Sequence, residues 1–383
     1  MDSMDKKNIK RQHKVIDILN EKDLDAALVT GWPNIFYLSG LRPIGANTNS
    51  WTPFVLVLSK DGEMVFICTR AFSKMMEHEY PTFPTVPFAE DHLIWPFRNI
   101  FKAVEEGLMT IDVHSKKSIR LGIEAGRMPV LYQDNLKKLL PNANFLDVGM
   151  NISRLRYIKD EYELDEIRKA CKITNIVFEE VVNEHLHHGI TEYELERALL
   201  RTIAIHGAVS SHIQVFSGER SCYQNISPSD RIIKKGDTVL FNYGVRCESG
   251  YCSDISRVAV IGEPSKKQLE ITEVVKEILL STLAFIRPGK VVSDIDKHLE
   301  SKFKELGYAE HYIHRAGHSI GLEPSEGFLI FRDETEILAP GNCLAIEPGI
   351  YIDGIGVRLE DDIIVTDDGF EQLTDLPYDM ICV

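Results

Sequence analysis

The chain contains no apolar run approaching the roughly 18 residues that a membrane-spanning helix needs. It also has no excess of basic residues. With 43 Lys and Arg against 58 Asp and Glu, the net charge is -15, so no broad basic surface is available to displace counterions from nucleic acid or an anionic membrane. The seven cysteines (68, 171, 222, 247, 252, 343 and 382) form no closely spaced pair of the zinc or redox type. The opening Met-Asp-Ser-Met-Asp-Lys-Lys lacks the apolar core of a secretion signal. Together these predict reduced thiols and a cytoplasmic protein. No glycine-rich phosphate loop and no low-complexity tract occurs, which removes the motif on which a nucleotide-binding reading would stand. What remains is ordinary globular usage, 44% hydrophobic and 26% charged over 383 residues, a length that suggests two domains at about 100–200 residues each.

The first part alternates strand and helix patterns, the sign of an α/β unit. An amphipathic helix is predicted over 9–20, a buried strand over 26–30, and a hairpin of 54–58 with 63–68 around Ser59-Lys60-Asp61-Gly62. A further strand is expected over 119–124 and a helix over 131–140. A charged helix start follows Arg154-Leu155-Arg156, which places a boundary near 155 and gives domains 1–155 and 156–383. Beyond it the pattern predicts helices near 160–188, 191–206, 265–285 and 292–306. Strands follow near 237–242, 251–260, 343–347 and 361–365, an α+β arrangement.

Four potential metal ligands lie in this second part. Asp254 sits in Gly-Tyr-Cys-Ser-Asp-Ile-Ser-Arg, a strand-like run where aspartate is unusual. His318 stands between Gly317 and Gly321, which permit close backbone approach. Glu347 precedes Pro348-Gly349, and Glu360 closes Gly356-Val357-Arg358-Leu359. Their separation of thirteen residues suits two neighbouring strands joined by a loop. Buried glutamates are costly unless a cation pairs with them; a metal or a cationic substrate would do so, and Arg358 could instead make the network purely structural. Three carboxylates and an imidazole in one pocket suit a divalent ion such as Mn, Fe, Co or Zn. His314, four residues before His318, fits a supporting role.

These phrases, in this order from about Ile158 to Pro377, resemble the family of aminopeptidase P, prolidase, methionine aminopeptidase and creatinase. The resemblance rests also on Gly236-Asp237, Arg287-Pro288-Gly289 and Gly317-His318 with Gly321. It implies a C-terminal pita-bread catalytic domain preceded by an N-terminal α/β domain of the creatinase type. In the family's peptidases, two aspartates, a histidine and two glutamates hold two metals. Asp254, His318, Glu347 and Glu360 match four of these, and Asn242 stands where the first aspartate belongs.

An amide is neutral and cannot bridge two ions, so the resemblance implies one divalent ion or none rather than two. Twelve residues separate Asn242 from Asp254, where the family pattern has about eleven, and the neighbouring Glu248 could lend a carboxylate. Two histidines that the family's peptidases use on the scissile peptide are replaced by Asn225 and Ser325. The resulting expectation is a divergent hydrolase or lyase that cleaves a C–N-type bond in a small zwitterionic or cationic substrate. Its catalytic candidates are Glu326, Glu347, Glu360 and His318. Substrate contacts are expected from Trp51, Trp95, Asn225, His314, Ser325 and Arg358, the tryptophans as an aromatic wall for a cation. An Xaa-Pro dipeptidase or aminopeptidase and a non-catalytic binding protein are the alternatives. The family's habits imply a homodimer.

Overall fold

The structure, a computed structural model, describes residues 3–41, 54–88, 97–224 and 226–383. It divides into two compact units, 1–156 and 157–383.

The first unit is built on a six-stranded sheet. Its strands are β1 (Ala26–Val29), β2 (Val55–Ser59), β3 (Met64–Thr69), β4 (Thr85–Phe88), β5 (Ile119–Ile123) and β6 (Ala143–Asp147), in the order β4-β3-β2-β1-β5-β6. The predicted hairpin is present, with β2 and β3 antiparallel in the register Val57↔Val65. By contrast β3–β4, β1–β5 and β5–β6 run parallel. Parallel neighbours need crossovers, and helices α3 (Arg70–Glu79) and α5 (Val130–Leu139) follow strands as such connections do. β1 and β2 are buried along their whole length. They read as continuous Ala-Ala-Leu-Val and Val-Leu-Val-Leu because both faces of the sheet are covered.

In the second unit, three long helices start on capping boxes. These are α7 (Glu161–His185) on Asp160 and Glu163, α8 (Glu192–Ile205) on Thr191 and Glu194, and α9 (Lys266–Phe285) on Ser265 and Gln268. Each cap satisfies backbone N–H groups that the first turn leaves over. Strands β7 (Val209–Ser217), β8 (Thr238–Arg246) and β9 (Ile255–Val260) form an antiparallel meander, with the short β17 (Ile381–Cys382) beside β9. A second sheet runs β11-β10-β12-β15-β16, with β10 Gly317–Ser319, β11 Glu326–Ile330, β12 Cys343–Ile346, β15 Asp361–Val365 and β16 Phe370–Gln372. A two-stranded ribbon, β13 (Gly349–Ile352) with β14 (Ile355–Arg358), lies between β12 and β15 in sequence.

Strand alternation decides what faces the site. Val215, Val239, Phe241, Tyr243 and Val245 pack into the core under α7 and α8, whereas Phe216, Leu240, Val258 and Val260 join the core around α9. Gln214, Asn242 and Ser256 therefore share a face with Phe216, Leu240 and Val258. They continue that apolar stripe with polar groups.

Among the described residues no helix is long and apolar enough to cross a membrane. All seven cysteines are free thiols.

Candidate metal centre

The site grows from two rows of paired residues. Across the meander Gln214 opposes Asn242, Asn242 opposes Ser256, and Ser256 bridges to Glu360. The four side chains of that row are bonded to one another. Asn242 Nδ2 donates to Gln214 Oε1 at 2.7 Å, and the Ser256 hydroxyl lies 2.7 Å from Glu360 Oε2 and 3.1 Å from Asn242 Oδ1. Arg358 Nε donates to the same hydroxyl at 2.8 Å. Both ends of the Asn242 amide are thus engaged by protein groups.

The sequence pattern predicts Asp254 inside a strand; it immediately precedes β9 instead, and its backbone N–H donates to Asp362 Oδ2 at 2.7 Å. Glu347 follows β12 and Glu360 precedes β15, and these two strands pair with Ile346 opposite Asp361. The predicted connecting loop is in fact the β13–β14 ribbon, which loops out and returns the chain so that the two glutamates flank one end of a ladder. His318 is the middle residue of β10. Gly317 lets this strand approach closely, because a Cβ there would stand 2.0 Å from the Ala345 carbonyl oxygen.

Three carboxylates converge on one imidazole nitrogen. His318 Nε2 lies 3.6 Å from Asp254 Oδ2, 3.9 Å from Glu347 Oε1 and 4.0 Å from Glu360 Oε1. Its Nδ1 is 3.3 Å from the Ser319 carbonyl, which can hold the proton there and leave Nε2 free to coordinate. Asp254, His318 and Glu360 are all buried, and their donor atoms fall within 4.8 Å of one another. Glu360 Oε1 is buried with no hydrogen-bond donor among the described residues, and Asp254 Oδ1 faces the His212 imidazole at 3.0 Å. Burial, followed by the charges of Asp254 and Glu347, holds the Glu360 carboxyl well above the usual range. Burial and the Asp254 charge raise Asp362 likewise. Crowded anionic oxygens beside a free imidazole lone pair fit a divalent cation, which would relieve their mutual repulsion.

Glu347 is shared with cations already present. Arg315 Nε is 3.6 Å from its Oε1 and Arg358 Nη1 4.0 Å from its Oε2. Burial opposes the charge on Arg358, yet Tyr351, Glu347, Glu360 and Asp254 around it keep the guanidinium protonated. His314 bridges the Arg315 carbonyl (2.9 Å) and the Tyr351 hydroxyl (3.1 Å), and burial lowers its pKa.

Not every candidate joins this group. Glu326, expected as a possible catalytic carboxylate, is already fully engaged. Its Oε1 is 3.1 Å from Lys159 Nζ, with the two side chains 2% and 1% exposed, and its Oε2 accepts from the Leu322 and Glu323 backbone N–H groups. Such a carboxylate fixes a turn and is not free to take a proton from water. Ser325 is exposed in the bend before β11. Glu248 is exposed in the turn 248–250, so the extra residue between Asn242 and Asp254 is absorbed there. Asn225, Trp51 and Trp95 lie outside the described residues.

The sequence reading missed β7 and with it His212, whose Nε2 lies 3.0 Å from Asp254 Oδ1. The signal was His-Ile-Gln-Val-Phe, an alternation interrupted just before it by Ser210-Ser211 and a register shift.

A family model for the creatinase/prolidase N-terminal domain matches residues 11–158, and one for metallopeptidase family M24 matches residues 165–367. An uncharacterized peptidase of Staphylococcus aureus (strain USA300) is 34% identical over 364 residues, covering 94% of this chain and 97% of that protein. Among solved structures, a recombinant prolidase from Thermococcus sibiricus superimposes with a TM-score of 0.87 at 30% identity over the whole of both chains. An Xaa-Pro dipeptidase from Bacillus anthracis gives 0.86 at 28% identity, covering 98% of this chain and 100% of that one.

Proposed function

Because the chain belongs to metallopeptidase family M24, we propose that it is a hydrolase that cleaves an amide or other C–N bond in a small zwitterionic or cationic substrate, at a site that holds one divalent ion. The observation that carries this reading is Asn242. A neutral amide, tied to Gln214 and Ser256, stands where a second ion would need an anionic bridge.

A divalent ion held by Asp254, His318 and Glu360 would polarise the scissile carbonyl and acidify attacking water. Glu347, at the edge of that group, would serve as general base; its arginine contacts, at 3.6 and 4.0 Å, are looser than the 3.1 Å pair that holds Glu326. Arg358 and Ser256 hold Glu360 in orientation through the shared hydroxyl. Arg315, with 39% of its side chain exposed, can receive a substrate carboxylate, while the acidic cluster attracts a cationic end. The family resemblance also implies a homodimer, which light scattering on the purified protein tests.

Dipeptides and tripeptides with proline in second position are expected to be hydrolysed poorly even with added manganese or cobalt. The motive is the joint replacement at 225, 242 and 325. Turnover at the ordinary enzymatic scale of about 1–1000 per second would favour the second reading, an Xaa-Pro dipeptidase, which the likeness to solved prolidases supports.

Asn242→Asp is expected to raise metal content from one toward two ions per chain, since it restores a bridging anion. Gln214 can adapt by turning its amide to donate. Elemental analysis that finds the same occupancy in both proteins would remove residue 242 from the site.

A further inference from the structure

We infer that His212 is a metal ligand, so that the ion is held by two imidazoles and two carboxylates and the nitrogen at 212 makes up for the anion missing at 242. The inference rests on the reading that this site binds a metal.

His212 reaches the site through a specific piece of backbone. The β7–β8 register shifts between Ser210 and His212, a bulge at Ser211 that re-aims the following side chain. His212 then pairs with Gly244, and the next strand brings Asp254 to the same row, one residue beyond the Tyr243↔Ile255 pair. Gly244 has no side chain to separate them. A Cβ at that position would stand 2.0 Å from the Ser253 carbonyl oxygen, 2.6 Å from Ser211 Oγ and 3.0 Å from His212 Cε1, so the glycine lets Ser211, His212 and the chain before Asp254 close over it.

His212 Nε2 and Asp254 Oδ1 are 3.0 Å apart, a close imidazole–carboxylate contact. Ligands about 2.1 Å from a tetrahedral ion stand about 3.4 Å from each other, so a small outward shift of the two side chains would admit an ion between them. The far side of the ring is fixed as in a coordinating histidine. Nδ1 lies 3.2 Å from Ser211 Oγ, a partner for its proton that leaves the Nε2 lone pair free. On the other side of Asp254, Oδ2 faces His318 Nε2 at 3.6 Å. The aspartate thus lies between two imidazole nitrogens, one beside each of its oxygens.

Replacing an oxygen donor by nitrogen shifts preference along the series from Mn toward Co and Zn. The full-length protein, stripped of metal, is titrated with Co(II) alone and with Mn(II) alone by calorimetry, and the visible ligand-field bands of Co(II) are recorded. Wild type is expected to take one Co(II) per chain. His212→Gln, and His212→Ala if it folds by circular dichroism, should lose at least about tenfold in Co(II) affinity, lose less in Mn(II) affinity, and show altered Co(II) bands. A loss of affinity with unchanged bands would reduce His212 to an ion-pair partner of Asp254 and overturn the inference. So would unchanged affinity in His212→Gln alongside a large loss in His318→Ala, which would leave the metal reading intact. A wild-type protein that binds no Co(II) would overturn both.

Discussion

His318→Ala is expected to weaken Co(II) binding by about 100-fold or more, since loss of a group that merely orients a ligand already costs about 10–100-fold. The reason is geometric: one nitrogen faces three carboxylate oxygens between 3.6 and 4.0 Å away. The consequence for stability follows from mass action. At a metal concentration 100 times the wild-type Kd, binding adds about 2.7 kcal/mol to the folded state. At the same concentration, a variant with a 100-fold weaker site gains only about 0.4 kcal/mol. Urea unfolding with and without Co(II) reads both numbers. An equal metal-induced shift in the two proteins would show that the ion does not sit at His318.

Lys159→Met is expected to destabilise the protein by about 3–5 kcal/mol, the usual result of stranding one member of a buried ion pair. Lys159 Nζ is 3.1 Å from Glu326 Oε1 and 3.4 Å from Ser319 Oγ, and neither charged side chain is more than 2% exposed. Adding Glu326→Gln to that variant should recover at least half of the loss. The amide carries no charge and its oxygen can still accept from the Leu322 and Glu323 N–H groups. Glu326→Gln alone should leave Co(II) affinity at the wild-type value. A large fall in affinity would return Glu326 to the metal site, where the sequence reading had considered it as a catalytic carboxylate.

The contrast between Glu326 and Glu360 shows where sequence reasoning reaches its limit. Both are buried glutamates near glycines in the motif-bearing region. Glu326 is met by an ammonium group from 167 residues earlier in the chain, whereas Glu360 Oε1 has no hydrogen-bond donor among the described residues. No local pattern distinguishes them, because the deciding partner is remote in sequence. His212 failed to appear for a related reason. Its strand carries Ser210-Ser211 and a register shift before His212, so the alternation that marks a half-buried strand is interrupted there. The helices of the second unit were legible because their signals are local: a capping residue, a glutamate or glutamine three positions on, and an apolar stripe.

By itself the sequence determined the helices of the second unit, the hairpin of the first, and the four residue types in motif settings that suit a divalent ion, because each depends on neighbours within a few positions. Only the tertiary structure decided which of the acidic residues meet a lysine or arginine. It also decided that the Asn242 amide is engaged at both ends, and that the absence of a side chain at Gly244 lets His212 reach Asp254. Those outcomes depend on strand register and on what each buried charge meets across the sheet, and a one-residue shift in pairing would change them all.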